Sequence, residues 1–258
     1  MTKQLMRMRL TNKACVTLIV ASLGTILVSI SAQAGALAFD AAGNLFVSDG
    51  HSVFKYTPDG TKSTFAAGLN PLGLSFDGKG NLFVADDTVT SAKGSILKFT
   101  PDGKRTTFAT GISSEGMGFD RSGNLFVSQD DSIFKFTPQG VKSTFVVSKP
   151  FPNFTDLAFD AAGNLFVTDE HSIYKFASDG TKSTFATGLD HPAGLAVDAA
   201  GNVYVTVVAA ADASIHAILK FSPDGTKGRL LQCPAFSLMP IWLLMGAVIF
   251  LSGIAIQS

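Results

Sequence analysis

Cysteine is almost missing from this chain: of 258 residues, only Cys15 and Cys233 carry a thiol. Cys15 sits in an N-terminal stretch that reads as a removable leader, so one thiol remains and no intramolecular disulfide can staple the fold. Stability must come from an apolar core, and residues 35–231 are enough to build a large one. Charge is scarce as well: Asp, Glu, Lys and Arg make up 16% and cancel to a formal net charge of zero. A nucleic-acid partner is excluded on that ground, because such binding rests on a basic face that neutralises phosphates. No G-x-S-x-G elbow occurs, so serine-based hydrolysis has no sequence support. From Leu230 to Ser258 there is no charged residue at all.

The two ends carry what is present in excess, apolar residues. Residues 1–13 hold Lys3, Arg7, Arg9 and Lys13 and no acid; an apolar run follows from Ala14 to Ile30, then small residues at Ala32 and Ala34. This is the order of a secretory signal peptide, residues 1–34, expected as a helix and cut after Ala34, with an uncleaved anchor as the alternative. Removing its four basic residues from the total of 20 leaves 16 against 20 acids, a charge near −4. The protein is expected to be exported, to the periplasm, the cell surface or the medium. At the other end "IWLLMGAVIFLSGIAI" runs from Ile241 to Ile256 and, with its uncharged flanks, reaches membrane-spanning length. Residues 232–258 are therefore expected to form an apolar helix that anchors the chain. The segment ends "IAIQS" without Lys or Arg, so the positive-inside mark is missing, and a buried helix or an out-of-frame end stays open.

Between the ends the chain repeats itself. "LAFDAAGNLFV" stands at Leu37–Val47 and again, unchanged, at Leu157–Val167. Gly-Asn pairs at 43–44, 80–81, 123–124, 163–164 and 201–202 are spaced by 37, 43, 40 and 38 residues. Around each pair recur four short β-branched and aromatic segments, typified by "LAFD", "NLFVSD", "SVFKYTPDG" and "TKSTFA". Asp-x-x-Gly-Asn joins the first to the second and Pro-Asp-Gly the third to the fourth, both turn formers. Four antiparallel strands per ~40 residues is the unit of a β-propeller blade. Five blades are predicted, over about 36–73, 74–116, 117–156, 157–194 and 195–231. A parallel β-helix, the rival, has shorter repeats. The near-continuous apolar runs fit a sheet packed on both faces, and 22 Phe fit the wedges between blades.

The pattern P-x-G-L-x-F-D-x-x-G-N-L-F-V-x-D…I-x-K-F-x-P-D-G resembles NHL-type repeats and the related gluconolactonase-like and virginiamycin B lyase-like propellers, over residues 36–231. Those families commonly have six blades; this chain shows five, and its last fourth segment, "TKGRLL", is a poor copy that loses the motif after Lys227. A closed five-bladed ring, an open ring and a disrupted sixth blade, by a frameshift near Gly228, all fit. The resemblance implies metal ligands at the residue before the first-strand Gly, facing the central channel. Here those positions are Gly35, Leu72, Glu115, Thr155 and Ala193. Only Glu115 suits a hard cation, whereas Ca²⁺ wants six to eight oxygens. The family's lactonase chemistry is thus not supported, and Glu115 is left as the channel-mouth candidate for any catalysis, against a plain solvated loop Glu.

Function is expected on the rim where the loops vary, since loops on a rigid scaffold change without loss of fold. Its candidates for ligand contact are Asp49, His51, Asp86, Asp130, Asp169, His171 and His191. The bland reading of Asp49, Asp86 and Asp169 is that each caps the next loop. His51 and His171 stand in equivalent places in blades one and four, far apart around a ring, and no close spacing marks a zinc site. No cofactor is expected; Ca²⁺ follows from the resemblance and Zn²⁺ from the histidines if an ion is held. Lys55, Lys98, Lys135, Lys175 and Lys220 recur once per blade and read as snorkelling rim residues. The resulting expectation is an exported, non-catalytic propeller that presents one loop face to a protein, polysaccharide or small molecule. The alternative is a gluconolactonase-like hydrolase or lyase with a degenerate channel site.

Overall fold

The computed structural model describes residues 16–21, 24–29, 36–88, 94–114, 116–147, 154–192, 194–208 and 216–233, and every described element is a strand. Among the described residues the expected N-terminal helix does not occur. Val16–Ala21 (β1) and Gly24–Ser29 (β2) pair antiparallel instead, from Val16 opposite Ser29 to Ala21 opposite Gly24. The reason is local: Val16, Thr17, Ile19, Val20, Thr25, Ile26 and Val28 are β-branched and fit a pleated ribbon better than a helix. The predicted C-terminal helix lies outside the described residues. Among those described, no helix is long and apolar enough to cross a membrane.

The repeats become blades. Blade one is β3 (Leu37–Phe39), β4 (Leu45–Ser48), β5 (Ser52–Tyr56) and β6 (Lys62–Ala67). Blade two is β7 (Pro71–Phe76), β8 (Leu82–Asp86), β9 (Ser95–Phe99) and β10 (Arg105–Thr110). Blade three is β11 (Met117–Phe119), β12 (Leu125–Gln129), β13 (Ser132–Phe136) and β14 (Lys142–Val147). Blade four is β15 (Leu157–Phe159), β16 (Leu165–Thr168), β17 (Ser172–Phe176) and β18 (Lys182–Thr187). Blade five is β19 (Leu195–Val197), β20 (Val203–Val208), β21 (His216–Phe221) and β22 (Lys227–Cys233). Each is a four-stranded antiparallel sheet in chain order. The degraded fifth copy still makes its strand: β22 pairs with β21 from Lys227 opposite Phe221 to Cys233 opposite His216. A ladder needs backbone groups, so side-chain identity could drift there without loss of pairing.

Apolar side chains on both faces of each sheet fill the wedges between blades. Phe46, Val53 and Leu69 of blade one meet Leu82, Val84 and Phe99 of blade two, and the scheme recurs through blade five. Phe rings interlock edge to face: Phe126 stands 5.1 Å from Phe145 in its own blade and 5.0 Å from Phe159 in the next. The inner strands pack successively, β3 on β7, β7 on β11, β11 on β15 and β15 on β19. Among the described residues β3 and β19 show no such packing on each other. Yet the far face of blade one is not bare, for Leu45 and Val47 are 1% and 2% exposed. No sixth blade occurs among the described residues.

Candidate functional site

Antiparallel order sends the strand one–two and three–four turns to one rim of the ring and the two–three turns and interblade linkers to the other. The uniform rim is fully occupied with its own backbone. Asp40 accepts the Ala42 and Asn44 N–H groups at 3.0 and 2.9 Å on Oδ1 and the Asn44 side-chain amide at 2.7 Å on Oδ2. Asp77, Asp120, Asp160 and Asp198 repeat the arrangement. These carboxylates close Asx turns, with the Gly at positive φ (Gly43, 79°). At Asp198 burial pushes the carboxyl up, but bonds from Asn202, Tyr204 and Ala200 outweigh it and hold it below the ordinary aspartate range. Burial, with Asp198 beside it, raises the Tyr204 phenol in turn.

The lysine series also finds an explanation in the sheet. Lys55, Lys98, Lys135, Lys175 and Lys220 lie directly across the ladder from Phe46, Phe83, Phe126, Phe166 and Tyr204. Their ammonium groups sit 5.3–5.7 Å from those ring centroids. Each ammonium group thus lies over the face of the ring, and that of Lys135 also stands 3.9 Å from Asp120 Oδ2.

On the variable rim the aspartates divide. Asp49 accepts the His51 and Ser52 N–H groups at 3.0 and 2.8 Å, and Asp169 those of His171 and Ser172 at 2.8 and 2.7 Å. Asp86 accepts Asn70 N–H at 2.7 Å and the Thr88 hydroxyl at 2.6 Å. Asp49 and Asp169 cap the loop that follows them, whereas Asp86 takes its backbone N–H from Asn70 in the linker before its own blade. Asp169 does more than cap: burial, then its hydrogen bond with Tyr174, raises that phenol. Blade three is different. Gln129 stands where blades one, two and four have Asp, and it pairs with Ser132. Asp130 then takes the turn at φ 53°, where blade one has Gly50 at 88°. The Asp130 carbonyl holds the linker before β15, accepting Phe154 N–H at 3.0 Å, as the His51 and His171 carbonyls accept Leu69 and Leu189 N–H in their blades.

Beside this turn lies a cavity of about 310 Å³, shared by blades two, three and four. Its polar wall is Ser113, Ser114, Ser128, Gln129, Asp130 and Thr155; Leu72 and Phe154 supply the apolar part. Leu72 and Thr155 are two of the five channel positions named from the sequence. Gly35, Glu115 and Ala193 lie outside the described residues. Ser114 and Ser128 are 4% and 2% exposed, and both hydroxyls donate to the Gly116 carbonyl, at 2.9 and 3.3 Å. Their oxygens remain able to accept. The wall offers one carboxylate and several neutral hydrogen-bonding groups, which does not fit a calcium cage. Among the described residues no three His, Cys, Asp or Glu groups converge as a metal site would need.

Two further features escape a motif search. The fourth residue of the second strand is Ser48, Ser128, Thr168 and Thr206 in blades one, three, four and five, buried in each. Three of these hydroxyls accept a backbone N–H at the start of the inner strand: Ala36 to Ser48 at 2.7 Å, Asp156 to Thr168 at 3.1 Å and Gly194 to Thr206 at 2.8 Å. Asp156 stands where blades two, three and five have Gly73, Gly116 and Gly194. Its Oδ1 accepts Leu157 N–H and its Oδ2 accepts Leu195 N–H of the next blade, both at 2.8 Å. The signal was in the alignment, a lone carboxylate in a glycine column. Of the histidines, the structure brings together His171 and His191, whose ring centroids are 5.9 Å apart, and leaves His51 in blade one.

The chain resembles virginiamycin B lyase from Staphylococcus aureus at TM-score 0.64 and 11% identity, over 81% of this chain and 73% of that one. A gluconolactonase from Xanthomonas campestris gives 0.64 and 18%, over 79% and 77%. Regucalcin from Agrobacterium tumefaciens, a calcium-binding protein, gives 0.57 and 15%, over 77% and 73%. The chain has the β-propeller fold of these proteins. The resemblance read from the repeats therefore holds at the level of structure. No family model and no curated protein matches the chain in sequence. The propeller's low identity to its neighbours carries the fold and leaves its chemistry to its own side chains.

Proposed function

We propose that this propeller is an exported binding scaffold that takes a neutral, hydroxyl-rich ligand, a polyol or the end of a polysaccharide, at its variable rim. The observation that carries this reading is the wall of the 310 Å³ cavity: serine, threonine and glutamine groups with the single carboxylate of Asp130, beside the apolar Leu72 and Phe154. Small-molecule sites combine an apolar lining with a few placed polar groups. Gln129 is the residue to change, because it has been released from the capping task that Asp49 and Asp169 perform in sister blades. Titration calorimetry against a panel of neutral oligosaccharides and polyols is expected to find a binder. Gln129→Ala should then weaken it by about tenfold, roughly 1.4 kcal/mol, with Tm unchanged. A panel without a binder, or binding indifferent to Gln129, speaks against the proposal.

The alternative, a hydrolase or lyase of the channel, draws on the fold shared with proteins of those activities. It requires turnover. Release of product from a lactone, abolished in Glu115→Gln, would favour it over simple binding.

A further inference from the structure

We propose that His171 and His191 form a binding site for a nitrogen-preferring divalent transition metal, Zn²⁺, Ni²⁺ or Cu²⁺, on the variable rim between blades four and five. His171 lies in the β16–β17 turn and His191 in the β18–β19 linker, 20 residues later in the chain. The linker carries one residue more than its blade-one counterpart: Gly188–Gly194 reads "GLDHPAG" where Gly68–Gly73 reads "GLNPLG". The additional residue brings a histidine against His171, and His191 holds φ at 43°, a conformation that a non-glycine residue adopts only under constraint. The linker is pinned on both sides of the bend. Leu189 N–H donates to the His171 carbonyl at 3.0 Å, and the Thr155 hydroxyl donates to the Pro192 carbonyl at 3.1 Å.

The two rings are prepared in the same way. His171 Nδ1 lies 3.3 Å from the Leu189 carbonyl oxygen and His191 Nδ1 lies 2.8 Å from Asp190 Oδ1. Both partners are pure acceptors, so both Nδ1 atoms carry the proton and both Nε2 lone pairs are left for a ligand. A carbonyl or carboxylate behind Nδ1 is the usual support of a metal-bound imidazole. An ion about 2.0–2.1 Å from each nitrogen lies about 3.2 Å from each centroid, so rings sharing one ion have centroids within about 6.4 Å. The observed 5.9 Å falls inside that limit. Asp190 Oδ2 is buried and has no hydrogen-bond partner among the described residues, a negative site that a nearby cation would compensate. The His191 side chain is 69% exposed, so an ion and its completing waters have access. Two imidazoles suit borderline ions and do not suit Ca²⁺ or Mg²⁺, which take oxygen. This inference is independent of the polyol reading.

The test is Zn²⁺ titration of the untagged full chain, by calorimetry and by competition with a chromogenic chelator. One Zn²⁺ per chain is expected, undisturbed by excess Ca²⁺. His171→Ala and His191→Gly should each weaken it at least about tenfold. Glycine also relieves the positive φ, so His191→Gly should keep or raise Tm, which separates lost ligation from lost fold. His51→Ala, the equivalent turn residue without a second histidine, should leave affinity unchanged. The proposal is overturned if no stoichiometric Zn²⁺ binds, if either single variant binds as the parent does, or if His51→Ala lowers affinity as much as they do.

Discussion

At Asp198 one carboxylate accepts from Ala200 N–H, Asn202 N–H, the Asn202 amide and the Tyr204 hydroxyl, between 2.8 and 3.1 Å. Asp198→Ala leaves these donors without their acceptor and should cost about 2 kcal/mol in urea unfolding at neutral pH. The pH dependence follows from the direction of its shift. A carboxyl held low in the fold contributes stability above its unfolded pKa of about 3.9 and loses it as pH falls through the folded value. The gap between parent and variant should therefore be steady at neutral pH and shrink in acid. This residue's role was legible as Asp-x-x-Gly-Asn, because the turn is built from neighbours in sequence. His191 was legible only as a rim histidine. Its pairing with His171 depends on a linker bend that no local pattern announces.

Among elements, the approach of β11 and the residue before it to the next blade sets a sharp test. A Cβ on Gly116 would lie 2.6 Å from Ser128 Oγ and 2.8 Å from Asp156 Cα, so backbone of blade four would have to move. A Cβ on Gly118 would meet Leu157 Cδ1 at 2.9 Å, the end of a side chain that can turn aside. Gly116→Ala is expected to cost about 2 kcal/mol and Gly118→Ala less than half of that, by the same unfolding measurement. The strands themselves were readable, since short β-branched and aromatic runs between Gly, Pro and Asp turns specify them locally. The hydrophobicity of Val16–Ser29 predicts a helix where β1 and β2 pair instead, and the poor copy "TKGRLL" still pairs with β21 in the predicted fifth blade, because backbone pairing with a neighbour decides both.

For the whole molecule the question is whether the ring has a free end. Leu45 in blade one and Leu82 in blade two occupy the same place in "NLFV" and are equally buried, at 1% each. If blade one's far face is covered in solution, Leu45→Ala should destabilise as much as Leu82→Ala, about 2–5 kcal/mol in each case. A loss under about 1 kcal/mol for Leu45→Ala alone would show that face to be open to water. No pattern within a repeat could answer this, because each repeat encodes its own blade and the wedge it offers its neighbours, and closure is a property of all the blades together.

By itself the sequence determined the blade: its strands, its Asx and Pro-Asp-Gly turns, and the phenylalanines and lysines that recur with it. These follow from interactions over a few residues, copied five times. Only the tertiary structure decided which side chains meet on the rim. It joined Gln129, Ser114 and Thr155 around one cavity, tied Asp156 to Leu195 across a blade boundary, and set two imidazoles 5.9 Å apart. Those meetings depend on how one sheet is turned against the next, which is fixed by packing between repeats and written in no single one of them.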